Sequence, residues 1–325
     1  MPALRILACI AAMLDVLPAC ARQGPDDAFR VALLTSGPVN DGGWNEGAWD
    51  GLKRIVDELH AQVSHVESRE KSKFEEDFRD FAARGFDLVI GHGNEYQDAA
   101  LRVAADYPRT AFVTVAGDRA SSNHAALYFM MEDATYCLGA LSAKLSKTGV
   151  LGLVGGEEIP SLTPGFEAFR RGARWVKPDI RVITKYVGSW TDVNKATEFT
   201  RALIAEGADV IFQNADKAGD GVFAAAAEKK GTYVFGANRD QTSLAPEVIL
   251  ASAVIDVPKA IRDVAAEVKE HRFKGSVSRL GMKDDVVRIV WNPKLSHVIP
   301  ADVRHDIGAL ESRVGAGEVS VFPNR

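Results

Sequence analysis

Residues 31–52 read VALLTSGPVNDGGWNEGAWDGL. The first four are an unbroken apolar run, the signature of a short strand buried on both faces. Thr35-Ser36-Gly37-Pro38 then breaks the run with turn-forming residues. Beyond the turn, Trp44, Ala48, Leu52, Ile55 and Leu59 recur at helical spacing. A buried strand that ends in a turn and feeds an amphipathic helix is the repeating unit of a parallel α/β sheet.

The rest of the chain continues this alternation. Strand-like runs lie at 88–90, 111–115, 150–154, 181–187, 210–212 and 233–235, with helical patterns at 74–84, 97–106, 133–147, 164–176, 192–206 and 219–229. Short apolar strands separated by helices predict parallel sheets covered by helices on both faces. At 325 residues the chain is long for one core and suits two lobes of ordinary size. With 46% hydrophobic and 26% charged residues the balance is globular. A net charge of −5 with dispersed Lys and Arg gives no basic face, so nucleic acid is not an expected partner.

The amino terminus reads as an address. One positive charge in residues 1–5 precedes a mostly apolar run from Ile6 to Val16, too short to span a bilayer as a helix. Leu17-Pro18-Ala19-Cys20 follows and is similar to a bacterial lipobox, in which Cys20 is lipidated and becomes the first mature residue. Asp15 and Pro18 depart from the usual pattern, and a plain secretion signal or a misassigned start codon is the alternative. Of the three cysteines, Cys9 falls within the signal and Cys20 at the lipid site, leaving Cys137 without a disulfide partner, as a buried filler in an apolar helix.

Open parallel sheets bind ligands at the carboxyl ends of their strands. Those ends carry Thr35-Ser36, Gly91-His92-Gly93-Asn94, Gly155-Gly156, Gly188-Ser189-Trp190, Gln213-Asn214-Ala215-Asp216 and Gly236-Ala237-Asn238-Arg239-Asp240. Glycines, amides, carboxylates and tryptophan dominate. The seven histidines are dispersed in sequence, and no CxxC, HExxH, GxSxG or Walker pattern occurs, so no cofactor, metal or catalytic residue is expected. The clustered aspartates of a calcium-dependent nucleoside hydrolase are also missing after Asn40-Asp41. Gly91-His92-Gly93 lacks the third glycine of a dinucleotide fingerprint and instead lets backbone approach a ligand or a neighbouring helix. Trp44 and Trp190 are candidate stacking plates for a flat ring, with packing between helix and sheet as the alternative for Trp44. Asp41 is a candidate acceptor for ring N–H groups or, equally, an Asx turn or helix cap. Asp216 is a candidate cleft residue, while Asp220 and Asp192 read as helix caps.

These same segments resemble BMP-type (basic membrane protein) solute-binding lipoproteins of ABC importers. VALLTSGPVNDGGWNEGAWDGL looks like the family's opening, and the likeness continues through FDLVIGHGNEYQDA, MEDATYCLGALSAKLSKTGVLGLVGG, GFEAFRRGA, YVGSWTD, ALIAEGADVIFQNA, FGANRDQ and IPADVR. The resemblance implies a type I periplasmic-binding α/β fold, with two Rossmann-like lobes joined by a three-strand hinge. The expected division is a signal peptide at 1–20, an N-terminal lobe at 29–128 and 253–288, and a C-terminal lobe at 129–252 and 289–325. It also implies a monomeric receptor, anchored by lipid outside the cytoplasm, that hands a purine to an ABC permease with its ATPase. Ligand contacts implied by motif and strand-end position are Asn40, Asp41, Trp44, Asn45, Gly91, Gly93, Trp190, Asn214, Asp216, Asn238 and Asp240. Asn238 stands where nucleoside binders have an Asp for the ribose hydroxyls, and Ile255 where many have a Lys, so a free nucleobase is the expected ligand. A nucleoside-acting hydrolase and a sensory receptor for another small ligand are the alternative functions.

Overall fold

The computed structural model describes residues 28–322; Cys20 and the signal segment lie outside them. Twelve strands and nine α-helices among the described residues form two six-stranded sheets. The first half of the chain alternates β1 (Arg30–Thr35), α1 (Trp44–Leu59), β2 (Gln62–Glu67), α2 (Phe74–Ala83), β3 (Leu88–His92), α3 (Gln97–Asp106), β4 (Ala111–Val115) and β5 (His124–Phe129). The alternation continues through α4 (Met131–Leu145), β6 (Val150–Gly155), α5 (Thr163–Val176), β7 (Arg181–Tyr186), α6 (Val193–Ala205), β8 (Val210–Asn214), α7 (Gly219–Ala227), β9 (Tyr233–Asn238) and β10 (Ile249–Ile255). The closing elements are α8 (Val257–Lys269), β11 (Val277–Leu280), β12 (Val287–Trp291) and α9 (Ala301–Gly315).

The first sheet has the order β11-β5-β4-β3-β1-β2 with every pairing parallel, and the second the order β12-β10-β9-β8-β6-β7 with only β12 antiparallel. Central strands are apolar throughout because helices cover both faces: β3, β4 and β10 are buried along their whole length. The edge strand β2 carries only two apolar residues, Val63 and Val66, and is half-buried in its middle and exposed at its ends. That weak pattern, QVSHVE, is not singled out by the sequence reading, and neither are α8, β12 and α9.

The chain crosses between the sheets three times: at Met130, at Asp256, and between Leu280 and Val287. These crossings are bonded to one another. The Met130 N–H donates to the Leu280 carbonyl at 2.8 Å, and the Asp256 N–H to the Val286 carbonyl at 2.7 Å. Asp133, at the start of α4, accepts the Met282 N–H at 3.1 Å. Its carboxyl is pushed up to about 6, chiefly by burial. Beyond the crossing, α8 returns to pack on α1 of the first lobe. The expected lobe boundaries at 253 and 288 fall inside β10 and β12, which both belong to the second sheet.

Local signals explain several termini. Asp192 caps α6, as its position suggests, accepting the Lys195 N–H at 2.9 Å. Asp220 does not cap α7: it lies within the first turn and pairs with Lys217 at 2.5 Å, because the preceding residues 216–218 already form a 3-10 turn that leads into the helix. Cys137 is fully buried and unpaired, and burial pushes its thiol far above the ordinary value.

The tightest interhelical contact is between α4 and α5, where Gly139 and Gly172 let the two backbones touch. A methyl group at Gly139 would run into the Phe169 carbonyl oxygen, and one at Gly172 into the Tyr136 carbonyl oxygen. Backbone cannot swing aside, so Gly139→Ala is expected to force the helices apart and cost about 1–3 kcal/mol, as core overpacking does. Gly308 of α9 has open space around it, so Gly308→Ala should gain up to about 1 kcal/mol from helix propensity. Thermal melting of the two variants should move in opposite directions; parallel shifts would refute the close-contact account.

Candidate functional site

The amino terminus of α1 faces the second sheet, and its geometry is set by Asp41. One carboxylate oxygen accepts the N–H groups of Gly43 at 2.9 Å and Glu46 at 3.1 Å. The other accepts the Asn45 backbone N–H and the Asn45 side-chain amide, both at 2.9 Å. A carboxylate has about four acceptor positions, and all four are filled from within the chain. Asp41 thus fills the capping role, one of its two readings. Glu46 reinforces the turn by accepting the Gly42 N–H at 2.9 Å. Two carboxylates in this first turn also sit favourably against the helix dipole.

With the cap fixed, Trp44 becomes the first residue of the helix. Its ring stacks on His92 at 4.2 Å between centroids and 23° between planes, and meets Phe129 edge-on at 6.2 Å. The His92 Nε2–H donates to the Trp44 carbonyl at 3.0 Å. His92 is 0% exposed, and burial lowers its imidazole to about 4. The indole remains partly exposed. Asn45 is buried with its Oδ1 unpartnered among the described residues. Gly91 answers to packing, since a Cβ there would press on Tyr96 and Phe78. Gly93 has φ +147°, with the Glu95 carboxylate filling the space where a side chain would go. Burial raises the Glu95 pKa, with a hydrogen bond from Ser36 acting against the shift.

The opposite wall comes from the second sheet. Trp190 lies over Gly156, where any side chain would displace the indole ring, and its carbonyl accepts the Ala218 N–H at 2.9 Å. It too is partly exposed. The Asn238 side-chain amide donates to Asn214 at 3.3 Å and to Asp216 at 3.1 Å. Asn238 and Asp216 both have positive φ, +67° and +46°, conformations in which Asn and Asp are the best tolerated of the non-glycine residues.

The two walls touch. The Asp216 Oδ1 stands 2.9 Å from the point where a Cβ on Gly43 would lie, so a side chain there would push the carboxylate aside. The Trp44 backbone also hydrogen-bonds Asp216. Arg239 reaches across from the end of β9 to Glu46 at 2.9 Å and Asp50 at 3.2 Å on α1. Beside these contacts runs a groove of about 460 Å³, lined among others by Trp44, Asn238, Arg239, Ile255, Asp256 and Arg288.

Trp44, Asn45, Asp41, Asn214, Asp216 and Asn238 therefore gather where the lobes meet, and Trp190 stands on the second lobe's wall. Asn40 and Asp240 are exposed, and Asp240 is occupied in accepting the Thr242 N–H at 2.9 Å. His92, Glu95, Glu46 and Asp50 belong to the same place and are not among the residues picked out from sequence. Of these, only His92 and Glu95 carried a signal, their position at a strand end. No cluster of three or more potential metal ligands occurs among the described residues, and no helix there is long and apolar enough to cross a membrane.

Residues 28–318 match the family model Bmp, described as ABC transporter substrate-binding protein PnrA-like. The chain belongs to this family. It is 28% identical to basic membrane protein A of Borreliella burgdorferi, covering 95% of this chain and 93% of that protein. It is 27% identical to a purine-binding protein of Brucella abortus, with 91% and 84% covered. A nucleoside-binding ABC transporter protein of Lactococcus lactis is 28% identical over 76% of this chain and 77% of its own. Among solved structures, an ABC transporter solute-binding protein of Conexibacter woesei superposes with a TM-score of 0.75 at 26% identity, covering 91% and 99%. The fold is thus the type I periplasmic-binding architecture.

Asp216 makes the lobe contact pH-dependent. Its carboxyl is pushed up to about 7 from 3.8, first by burial and then by the nearby charge of Asp41, against the opposing hydrogen bonds from Asn238 and the Trp44 backbone. Between those values the folded form holds a proton that the unfolded chain has lost. This contribution to stability is complete below 3.8 and disappears as pH rises through about 7. The wild-type melting temperature should therefore fall more steeply across this interval than that of Asp216→Asn, measured over the same buffer series. Equal slopes would show that the proton is not held there.

Proposed function

We propose that this chain captures a purine between its two lobes, prefers the free base to the nucleoside, and delivers it to an ABC permease from the outer face of a membrane. The observation that carries the proposal is the pair of partly exposed tryptophans on opposite walls. Trp44 is held by His92 and Phe129 on the first lobe, and Trp190 rests on Gly156 of the second. Two such plates suit a flat heteroaromatic ring, each stack being worth roughly 1–3 kcal/mol. The purine-binding and nucleoside-binding relatives support the same ligand class.

The preference for the base rests on the groove beside the plates. Ile255, 7% exposed, lines it and cannot form hydrogen bonds through its side chain. Both N–H groups of the Asn238 amide are already spent on Asn214 and Asp216, so the side chain has no donor left for a ribose oxygen. Arg239, the candidate substitute for a ribose-binding Lys, is tied to Glu46 and Asp50. Sugar hydroxyls buried here without partners would cost about 1–3 kcal/mol each. Ligand contact from both lobes then favours the closed form, as in hinge-closing binding proteins.

Calorimetric titration of ligand-stripped protein with adenine, hypoxanthine, adenosine and inosine tests the reading. The bases should bind at least about tenfold more tightly than their nucleosides, a difference of about 1.4 kcal/mol. Trp44→Ala or Trp190→Ala should weaken base binding by about ten- to a hundredfold. Tighter binding of the nucleosides would overturn the base preference, and no binding of any of the four would overturn the purine assignment.

The anchoring proposal has its own test. Expressed full-length in a bacterial host, the wild type should partition with membranes and carry an acyl mass on Cys20. Cys20→Ser should be released into the soluble fraction. Identical partitioning without acylation would rule the anchor out.

A further inference from the structure

The geometry points to His92 as the positioning residue of the Trp44 plate: one buried side chain that fixes both the indole ring and the peptide group of the residue that carries it. This inference rests on the reading that Trp44 stacks on the ligand.

His92 ends β3 at the cleft side of the first sheet and is wholly buried. Its ring lies face to face with the Trp44 indole, 4.2 Å away and 23° from parallel, while Nε2 stands 3.0 Å from the Trp44 carbonyl oxygen. A carbonyl accepts, so Nε2 carries the hydrogen. Nδ1 is then a bare acceptor, and it has no hydrogen-bond partner among the described residues.

Packing alone does not account for a histidine here. A phenylalanine would offer the same flat face to the indole and leave no polar atom stranded, and buried polar atoms in native proteins are normally paired. What histidine adds over phenylalanine is the N–H directed at the Trp44 carbonyl. The stack restrains the indole, the hydrogen bond restrains the backbone of the first helical residue, and Phe129 closes the remaining side edge-on. The neutral ring that burial enforces suits this task, because it stacks without carrying a charge into the sheet. A plate fixed in advance spares the ligand the cost of ordering it on binding.

The test separates positioning from mere packing. Nitrogen-15 relaxation reads the mobility of each of the five tryptophan indoles, with the Trp44 signal identified by its loss in Trp44→Ala. In His92→Ala the Trp44 indole should become mobile while the other four signals keep their order parameters. His92→Phe keeps the stack and removes the donor, so it should give an intermediate effect, and it serves as the readable variant if His92→Ala fails to fold. With adenine as the probe, His92→Ala should weaken binding about tenfold in the wild-type background and less than about twofold in the Trp44→Ala background, as expected of two residues acting through one contact. A Trp44 indole that stays rigid in both variants overturns the assignment to His92. So does a His92 effect of equal size with and without Trp44. Adenine binding that is indifferent to Trp44→Ala instead shows that the stacking reading itself is wrong, and the positioning role falls with it.

Discussion

The site depends on a carboxylate that faces inward. Asp41 gathers four donors from the five residues that follow it, and by doing so decides where α1 begins. Once the helix starts at Trp44, the indole has one place to go, against His92, and the Trp44 backbone is presented to Asp216 of the other lobe. Caps of this kind are worth only about 1 kcal/mol to stability. Here the larger consequence is geometric: without the cap, the residues on the cleft side of α1 lose a common origin, and Gly43 no longer stands opposite Asp216.

The lobes meet through two contacts of different character. Arg239 with Glu46 and Asp50 is a partly exposed ion-pair network whose strength falls with salt. Asp216 is a carboxyl pressed against a glycine and a backbone donor, where a full negative charge is poorly tolerated so near Asp41. The first guides the approach of the lobes over a distance. The second acts only at contact, and a side chain at position 43 would displace its carboxylate.

The architecture was legible because strands buried on both faces and amphipathic helices write different periods into the sequence. Val31–Leu34 followed by Trp44–Leu59 is the clearest instance, and the helices starting near Phe74, Gln97 and Thr163 follow it closely. The edge strand Gln62–Glu67 escaped notice because one side of an edge strand answers to solvent, which dilutes its apolar pattern. At the site, Trp44 and Trp190 could be located by the strand-end rule alone. The role of Asp41 could not be settled, because a sequence does not count the donors that converge on a carboxylate. His92 showed itself only by its place at a strand end, and its role stayed hidden for a similar reason: its partner is the backbone of a residue on another element, and no motif encodes that pairing. Arg239 is conspicuous in sequence, but its acidic partners lie in the first helix of the chain, which only the meeting of the lobes brings near.

The threefold crossing between the sheets has a consequence for how the protein is made. Neither lobe is a continuous stretch of chain. The first sheet lacks its edge strand β11, and α1 its covering helix α8, until residues 257–280 have been synthesised, by which point nearly all of the second lobe already exists. A ribosome delivers chain from the amino end, and domains generally fold as units in that order. Here the amino-terminal unit must wait, with the β5 edge unpaired, for a strand that arrives almost last. An unpaired strand edge is open to wrong partners. Completion of the first lobe is therefore tied to near-completion of the second, and a chain cut at the Asp256 crossing yields two fragments of which neither holds a whole sheet, since β11 and β12 both fall in the second.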